Sequence, residues 1–85
     1  MQGGIGIIDM GKTQMKYKVV NCIGDLRSEK GMSQEKLATK IGVTRATVNA
    51  VEKGNYNPSL DLAFRISVFF EKPIEEIFKI EGEYE

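Results

Sequence analysis

The segment IGVTRATVNAVEKG, residues 41–54, carries the residues of this 85-residue chain whose types and spacing best suit a specific chemistry. At helical spacing its outer side chains are short, polar or cationic, and they include Thr44, Arg45, Thr47 and Asn49. A helix that only closes a core has little use for that selection. A helix that lies against a polar, anionic surface needs such side chains, so the segment indicates recognition of such a surface.

Residues for other chemistry are scarce. The chain has no histidine and no cluster with metal-ligand spacing, so we expect no enzyme, no metal and no cofactor. The glycines of MQGGIGII do not follow a strand in a strand–helix–strand unit, which argues against a phosphate-binding loop. The single cysteine, Cys22, stands among Val19, Ile23 and Leu26, which predicts a buried, unreactive thiol. One cysteine in so small a chain favours a reducing compartment, the cytoplasm.

Length and charge bound the class of protein. Eighty-five residues form one small domain of marginal stability, for which self-association is a reasonable expectation. Residues 1–58 hold nine Lys/Arg and five Asp/Glu, whereas residues 59–85 hold three and seven. The basic part could face phosphates, although scattered surface charges are the plainer interpretation. No apolar run is long enough to span a bilayer, and we expect no membrane partner.

The hydrophobic periodicity predicts five short helices and requires no strand. The first runs from about Lys16 to Lys30; the second and third begin at the caps Ser33 and Thr44; the fourth begins at Ser59, and the fifth at Pro73. Their inner faces are predicted to be Val19, Ile23 and Leu26; Leu37, Ala38 and Ile41; Val48 and Val51; Leu60, Ala63, Ile66 and Phe70; and Ile74, Ile77 and Phe78, with Leu62 and Phe69 on the flanks of the fourth helix.

The chain ends differ from this pattern. Residues 1–14 are glycine-rich without helical period, and we interpret them as a flexible leader, an expression remnant or an early start codon. A short edge strand over Ile5–Ile8 is the alternative. The folded domain is predicted to span residues 15–79. Residues 80–85 form an acidic tail, expected to be loose, from which Ile80 and Tyr84 could contact a partner.

The stretch QEKLATKIGVTRATVNAVEKG, with its flanks IGDLRSEKGMS and NYNPSLDLAFRISVFFEKPIEEIF, resembles the helix-turn-helix of the phage-repressor and Cro-like regulators, the XRE family. The resemblance covers roughly Met15 to Phe78. The positions typical of the motif are all present: the alanine is Ala38, the glycine is Gly42, and the five apolar residues are Leu37, Ile41, Val43, Val48 and Val51. It implies an all-α, five-helix lambda-repressor-like domain that binds double-stranded DNA as a dimer, with Thr44–Lys53 as the recognition helix.

The resemblance also implies roles for individual residues. Positions matching base contacts are Arg45, Ala46, Asn49 and Ala50; positions matching phosphate contacts are Gln34, Thr44, Thr47, Asn55, Tyr56 and Asn57. Arg27 and Glu52 match an ion pair between the first helix and the recognition helix. Solvated polar side chains, and two independent surface charges, are the alternatives. Because Ala46 and Ala50 leave few hydrogen-bonding groups on the reading face, DNA shape is expected to contribute to specificity.

Three functions remain in competition. The first is a sequence-specific repressor that binds a two-fold operator as a homodimer, without catalysis. The second is the antitoxin of a toxin pair, which represses its own operon and binds a toxin through the acidic tail. The third is a protein-interaction adaptor that makes no DNA contact. The apolar excess of the last two helices and the tail predicts a dimer interface of Phe69, Phe70, Ile74, Ile77, Phe78 and Ile80.

Overall fold

Five helices lie in the order expected, in a computed structural model that describes residues 15–84. They are α1 (Ile23–Glu29), α2 (Gln34–Ile41), α3 (Arg45–Glu52), α4 (Leu60–Phe70) and α5 (Ile74–Ile77). The predicted leader, residues 1–14, and the final residue lie outside the described residues. The expectation of five short helices is confirmed.

The expectation that no strand is required is wrong. Strand β1 (Met15–Asn21) pairs antiparallel with strand β2 (Phe78–Tyr84), in a register that runs from Met15 opposite Tyr84 to Asn21 opposite Phe78. The first helix therefore begins at Ile23 rather than at about Lys16, and residues 80–84 of the acidic tail are paired rather than loose. Opposite residues share a face of the sheet, so Val19 meets Ile80 and Lys18 meets Glu81.

Asn21 joins this sheet to the helices. Its Nδ2 donates to the carbonyl of Val51 over 2.8 Å, and its Oδ1 accepts from the backbone N–H of Ile23 over 3.0 Å. One side chain thus starts α1 and fastens β1 to the end of α3. Cys22 continues the link, because its N–H donates to the carbonyl of Ile77 over 3.0 Å. The Cys22 thiol is partly buried, and its Sγ lies 3.5 Å from the carbonyl oxygen of Glu76.

The helix boundaries follow the predicted caps. The side-chain oxygens of Ser33, Thr44 and Ser59 accept the backbone N–H three residues ahead, over 3.0, 3.2 and 3.1 Å. Gly42 ends α2 with φ at +78°, a left-handed conformation that a side chain disfavours. The Nη1 of Arg65 donates to the carbonyl of Ile41 over 2.9 Å and satisfies a terminal carbonyl of α2.

All five helices contribute to one core. Its buried apolar residues are Ile23, Leu26, Leu37, Ala38, Ile41, Val48, Val51, Leu62, Ala63, Ile66, Phe70 and Ile77. Leu60 was expected inside but is 70% exposed, and Leu62 takes its place at 5%. The buried row of α4 therefore runs Leu62, Ile66, Phe70, four residues apart, and Leu60 lies on another side of the helix.

Phe70 and Ile77 correct the predicted dimer interface. They are 6% and 0% exposed, because they close the core of a single copy. Neither is available to a second copy without opening that core. Of the other four, Phe69, Ile74 and Phe78 are partly buried, and Ile80 is 54% exposed.

Candidate nucleic-acid interface

Helix α3 lies against the core through one side and leaves its other side open. Val48 and Val51, each 3% exposed, hold it in place. Arg45 and Ala46 are exposed, and Asn49 and Ala50 follow them one turn later, partly buried. Since positions four apart share a helix side, these four form one surface that we call the reading face. All four residues expected to meet base edges lie on it.

The first turn of α3 is organised by two threonines. The hydroxyls of Thr44 and Thr47 lie 3.1 Å apart, and Thr44 also caps the N–H of Thr47. The N–H groups of Arg45 and Ala46 precede the first helical hydrogen bond, so they remain without a partner inside the helix. Together with the positive end of the helix dipole, they make this end suited to a phosphate.

The ion pair expected between Arg27 and Glu52 is present. Nε of Arg27 donates to Oε2 of Glu52 over 2.8 Å, and Nη2 donates to Oε1 over 3.1 Å. Nη1 donates to the carbonyl of Met32 over 2.8 Å, so the same guanidinium also holds the loop before α2. The side chains are only 19% and 11% exposed. This contact links α1, the α1–α2 loop and the recognition helix.

The pKa values of the pair shift in opposite directions. Partial burial raises the pKa of Glu52. The hydrogen bonds from Arg27 and Gln34, together with the charge of Arg27, lower it by more, so the pKa lies below its usual value. The hydrogen bond to Glu52 and its negative charge raise the pKa of Arg27 against the opposing effect of burial. Both groups are therefore charged at neutral pH.

Gln34 joins the same network, which the sequence did not reveal. Its Nε2 donates to Oδ1 of Asn49 over 3.2 Å and to Oε1 of Glu52 over 3.1 Å. Asn49 and Glu52 are three apart on α3, a spacing that makes them neighbours. Gln34 stands on another helix, and only the fold brings it to them. With both amide hydrogens engaged, its side chain has none left for a phosphate, whereas its backbone N–H stands at the open start of α2.

The loop after α3 continues the same end of the molecule. Gly54 has φ at +79°, and the N–H of Asn55 then donates to the carbonyl of Ala50 over 2.9 Å. Asn55 and Asn57 are exposed, and Tyr56 is 50% exposed. The three residues expected to contact phosphates here thus present polar groups to solvent directly after α3.

Among residues 15–84, no group of three or more Cys, Asp and Glu side chains is arranged to hold a metal ion. In that same range, every helix is too short or too polar to cross a membrane.

Comparison with known proteins places this geometry among relatives. A model of the helix-turn-helix family matches residues 23–77, which include all five helices and neither strand. The chain is 51% identical over 72 residues to the HTH-type transcriptional regulator MJ0272 of Methanocaldococcus jannaschii, covering 85% of this chain and 97% of that protein. It is 40% identical over 55 residues to the cryptic phage CTXphi transcriptional repressor RstR of Vibrio cholerae, a match that covers 65% of this chain and 50% of that protein. Among solved structures, it is similar to the restriction-modification controller protein C.AhdI of Aeromonas hydrophila, with a TM-score of 0.59 and 35% identity, covering 64% and 82%.

Proposed function

The chain belongs to the helix-turn-helix family, and from that premise we propose that it is a sequence-specific repressor that binds a two-fold DNA operator as a homodimer. It is a small DNA-binding transcription regulator of the XRE type, with the five-helix lambda-repressor-like fold predicted from its sequence. One observation carries the finer proposal. The reading face lies on the open side of α3, a helix that contacts the core through Val48 and Val51 and is joined to α1 by the Arg27–Glu52 pair.

Base contacts are assigned to the reading face. Arg45 is exposed at the first turn, and its guanidinium can donate two hydrogen bonds to a guanine. Asn49 lies one turn along and can hydrogen-bond a base edge. The methyl groups of Ala46 and Ala50 can meet the methyl group of a thymine. Two hydrogen-bonding side chains per copy make a small direct code, which leaves room for the shape of the DNA to add specificity.

Phosphate contacts are assigned around this face. We attribute them to the hydroxyls and amides at the start of α3, Thr44 and Thr47 among them, and to the loop residues Asn55, Tyr56 and Asn57. At Gln34 we assign the contact to the backbone N–H at the start of α2 rather than to the side chain, because the side-chain NH₂ already donates twice. Such contacts fix the register of the protein on DNA, while the reading face supplies sequence preference.

The direction of regulation is proposed from a relative. RstR is named a transcriptional repressor, and this chain is 40% identical to it over 55 residues. A domain that covers its operator blocks other proteins at the same DNA without any catalysis, so repression needs no cofactor. Its place of action would be the cytoplasm, where the DNA lies.

The dimer is assigned to an exposed apolar surface on α4. Leu60, Phe64 and Val68 recur every four residues and are 70%, 54% and 74% exposed, and we call them the α4 stripe. An exposed row of three large apolar side chains is the kind of patch that marks a contact surface. Two stripes packed antiparallel about a two-fold axis would set Phe64 against its own copy and Leu60 against Val68. A two-fold dimer of this kind suits recognition helices about 34 Å apart, one turn of DNA. Ile80, exposed on β2, can extend that contact.

The two alternatives fit this arrangement less well. The segment assigned to a toxin partner is strand β2, whose backbone is paired with β1 through Tyr84. An adaptor would be expected to show apolar anchors on the outer side of α3, where Arg45 and Asn49 stand instead. The exposed apolar anchors lie on α4, where a second copy can use them.

The test selects duplexes that bind the full chain from a random pool. Recovery of a two-fold motif with half-sites one helical turn apart supports the proposal, and a single unpaired half-site would contradict the dimer. No enrichment over the starting pool would reject sequence-specific binding altogether. The variant Arg45→Ala with Asn49→Ala, which leaves core and caps intact, is the control and should lose the base preference at the positions that these two side chains read.

A further inference from the structure

The side-chain amide of Asn49 is the end of a hydrogen-bonded chain that starts at an ion pair. Glu52 accepts from Arg27 at both oxygens, over 2.8 and 3.1 Å, and its Oε1 also accepts from Gln34 over 3.1 Å. Gln34 then donates to Asn49 over 3.2 Å. Four side chains from α1, α2 and α3 are thus connected, and the last one lies on the reading face.

The chemistry of these groups fixes the orientation of both amides. The Glu52 carboxylate is ionised beside Arg27, and an ionised carboxylate can only accept, so Gln34 must turn its NH₂ towards it. The second hydrogen of that NH₂ can only be donated, so Asn49 must turn its Oδ1 towards Gln34. The opposite orientation of either amide would set two acceptors, or two donors, against each other. The negative charge of Glu52 therefore decides which end of Asn49 faces away.

The end that faces away is the donor. Within residues 15–84, the Nδ2 of Asn49 makes no hydrogen bond with the protein, so its two N–H groups remain to be used. Asn49 is partly buried and lies on the reading face with Arg45, Ala46 and Ala50. A free amide could rotate and offer either its oxygen or its NH₂ to a base. The amide of Asn49 is held with its oxygen towards Gln34, so it offers its NH₂.

We propose that Glu52, acting through Gln34, fixes Asn49 as a hydrogen-bond donor and makes Gln34 a specificity-determining positioning residue. The inference rests on the proposed function, because it concerns the base that Asn49 reads. The major-groove edges of guanine, adenine and thymine each present an acceptor, whereas cytosine presents an amino donor. Asn49 can therefore donate a hydrogen bond to guanine, adenine or thymine on the contacted strand, and it disfavours cytosine.

The experiment measures binding of the full chain to its selected operator and to every single-base-pair variant of one half-site. Asn49→Ala identifies the position read, since preference there should vanish. Gln34→Ala should lower discrimination at that same position by roughly fivefold to tenfold, the lower part of the range for a good base contact. The preference at the base pair that Arg45 contacts should stay unchanged. Glu35→Ala, at the neighbouring exposed residue on α2, is the matched control and should leave the whole profile unaltered.

Reversal of polarity gives the sharpest test. Asn49→Asp has the same shape but carries only acceptors, and Gln34 can still donate to it. Its preference should move towards cytosine, or towards the amino group of adenine. An unchanged preference in Asn49→Asp, or an equal loss on all operator variants in Gln34→Ala, would overturn the inference.

A measurement without DNA separates this inference from the proposed function. In the free protein, nuclear Overhauser contacts should join the side-chain NH₂ of Gln34 to Asn49, and Gln34→Ala should raise the mobility of the Asn49 amide. If no duplex binds but these contacts are present, the proposed function fails while the positioning network stands. If the contacts are missing, the positioning role is rejected even where DNA binding holds.

Discussion

Arg27 and Glu52 join the first helix to the recognition helix through two nitrogen–oxygen contacts, of 2.8 and 3.1 Å. The third contact of the same guanidinium, 2.8 Å to the carbonyl of Met32, fixes the loop that enters α2. A pair this sheltered contributes less to net stability than to geometry, because the cost of desolvating two charges offsets much of their attraction. We expect it to set the angle at which the reading face meets DNA.

Glu52→Gln should destabilise the fold by about 2 kcal/mol at neutral pH, because Arg27 keeps its charge but loses its anionic partner, and the NH₂ of the new amide cannot accept a hydrogen bond from Arg27 or Gln34. The pKa of Glu52 is lowered by folding, so its stabilising contribution is fully present above the usual value near 4.5. That contribution is lost as the pH falls through the lower pKa of the folded state. Urea unfolding between pH 7 and pH 3 should show the difference between wild type and variant shrinking below about pH 4.5.

Glu29→Gln is the matched control for that titration. Glu29 is exposed on the same helix as Arg27, and its removal should give no comparable gap at neutral pH. A gap between wild type and Glu52→Gln that grows in acid would contradict the assigned role of the pair.

Glu71→Gly should raise stability by about 1 kcal/mol. Glu71 ends α4 with φ at +57°, and among residues 15–84 it is the only non-glycine residue with positive φ. Its N–H and that of Lys72 close the helix on the carbonyls of Val68 and Ser67, so a residue at ease in this conformation keeps both bonds. Thermal unfolding measures the gain. Glu71→Ala, which removes the same carboxylate but keeps a Cβ, should show no such gain, and an equal rise in both would assign the effect to charge instead.

The helices could be predicted from the sequence because their signals are local. Ser33, Thr44 and Ser59 cap the helices they were expected to cap, and Gly42 has the left-handed conformation expected of it. Each of these signals lies within a few residues of the structure it determines. The periodicity of α2 and α3 likewise gave the buried side correctly, because only one helical face of each is apolar.

The sheet could not be predicted because its evidence lies at the two ends of the described chain. Residues 15–21 continue the apolar spacing of α1, and Val19 falls in phase with Ile23 and Leu26, so a helical interpretation was natural. What decides against it is the pairing of Val19 with Ile80 and of Lys18 with Glu81, about 60 residues away. A strand of this kind acquires its partner only from the fold, and a two-stranded sheet alone is marginal.

Within the candidate site, the sequence predicted the Arg27–Glu52 pair but not the connection through Gln34. Side chains on one helix, such as Arg45 and Asn49, could be grouped by spacing. The bond from Gln34 to Asn49 crosses between α2 and α3, and its existence depends on a turn geometry that spacing does not measure. Leu60 and Leu62 show the same limit, since both suit the inner face of α4 and only packing chooses between them.

Arg45→Ala should weaken operator binding by about 1–3 kcal/mol if Arg45 pairs with a guanine, and leave weak binding to scrambled DNA nearly intact. Titration of both duplexes at one salt concentration measures the two effects. Lys53→Ala removes a cation at the other end of α3 and serves as the control, because it should lower both affinities alike. Equal losses on both duplexes for Arg45→Ala would make Arg45 a phosphate contact.

Salt should lower the affinity for the operator steeply. Each phosphate neutralised on duplex DNA contributes about −0.9 to the slope of log K against log salt, and a two-fold dimer makes every contact twice. We expect Lys36→Gln and Lys40→Gln to reveal which cations near α2 contribute, since loss of a real contact makes the slope shallower by about two per dimer. A slope near zero for the wild type would mean that this surface does not meet DNA.

Phe64→Glu should dissociate the dimer. Phe64 is the centre of the α4 stripe, and a two-fold axis there would set two carboxylates against each other in an apolar contact, where neither finds a partner. Because Phe64 is 54% exposed in one copy, the fold itself should lose little stability. Sedimentation equilibrium should show a monomer at a micromolar concentration at which we expect the wild type to be a dimer. The variant should also lose its preference for a two-fold operator over a single half-site.

Ser28→Glu adds the same charge at an exposed position on α1 and should leave the dimer intact. A dimer that survives Phe64→Glu, with wild-type preference for the two-fold operator, would move the interface away from α4, and Ile80→Glu would then test the face of β2 in the same way.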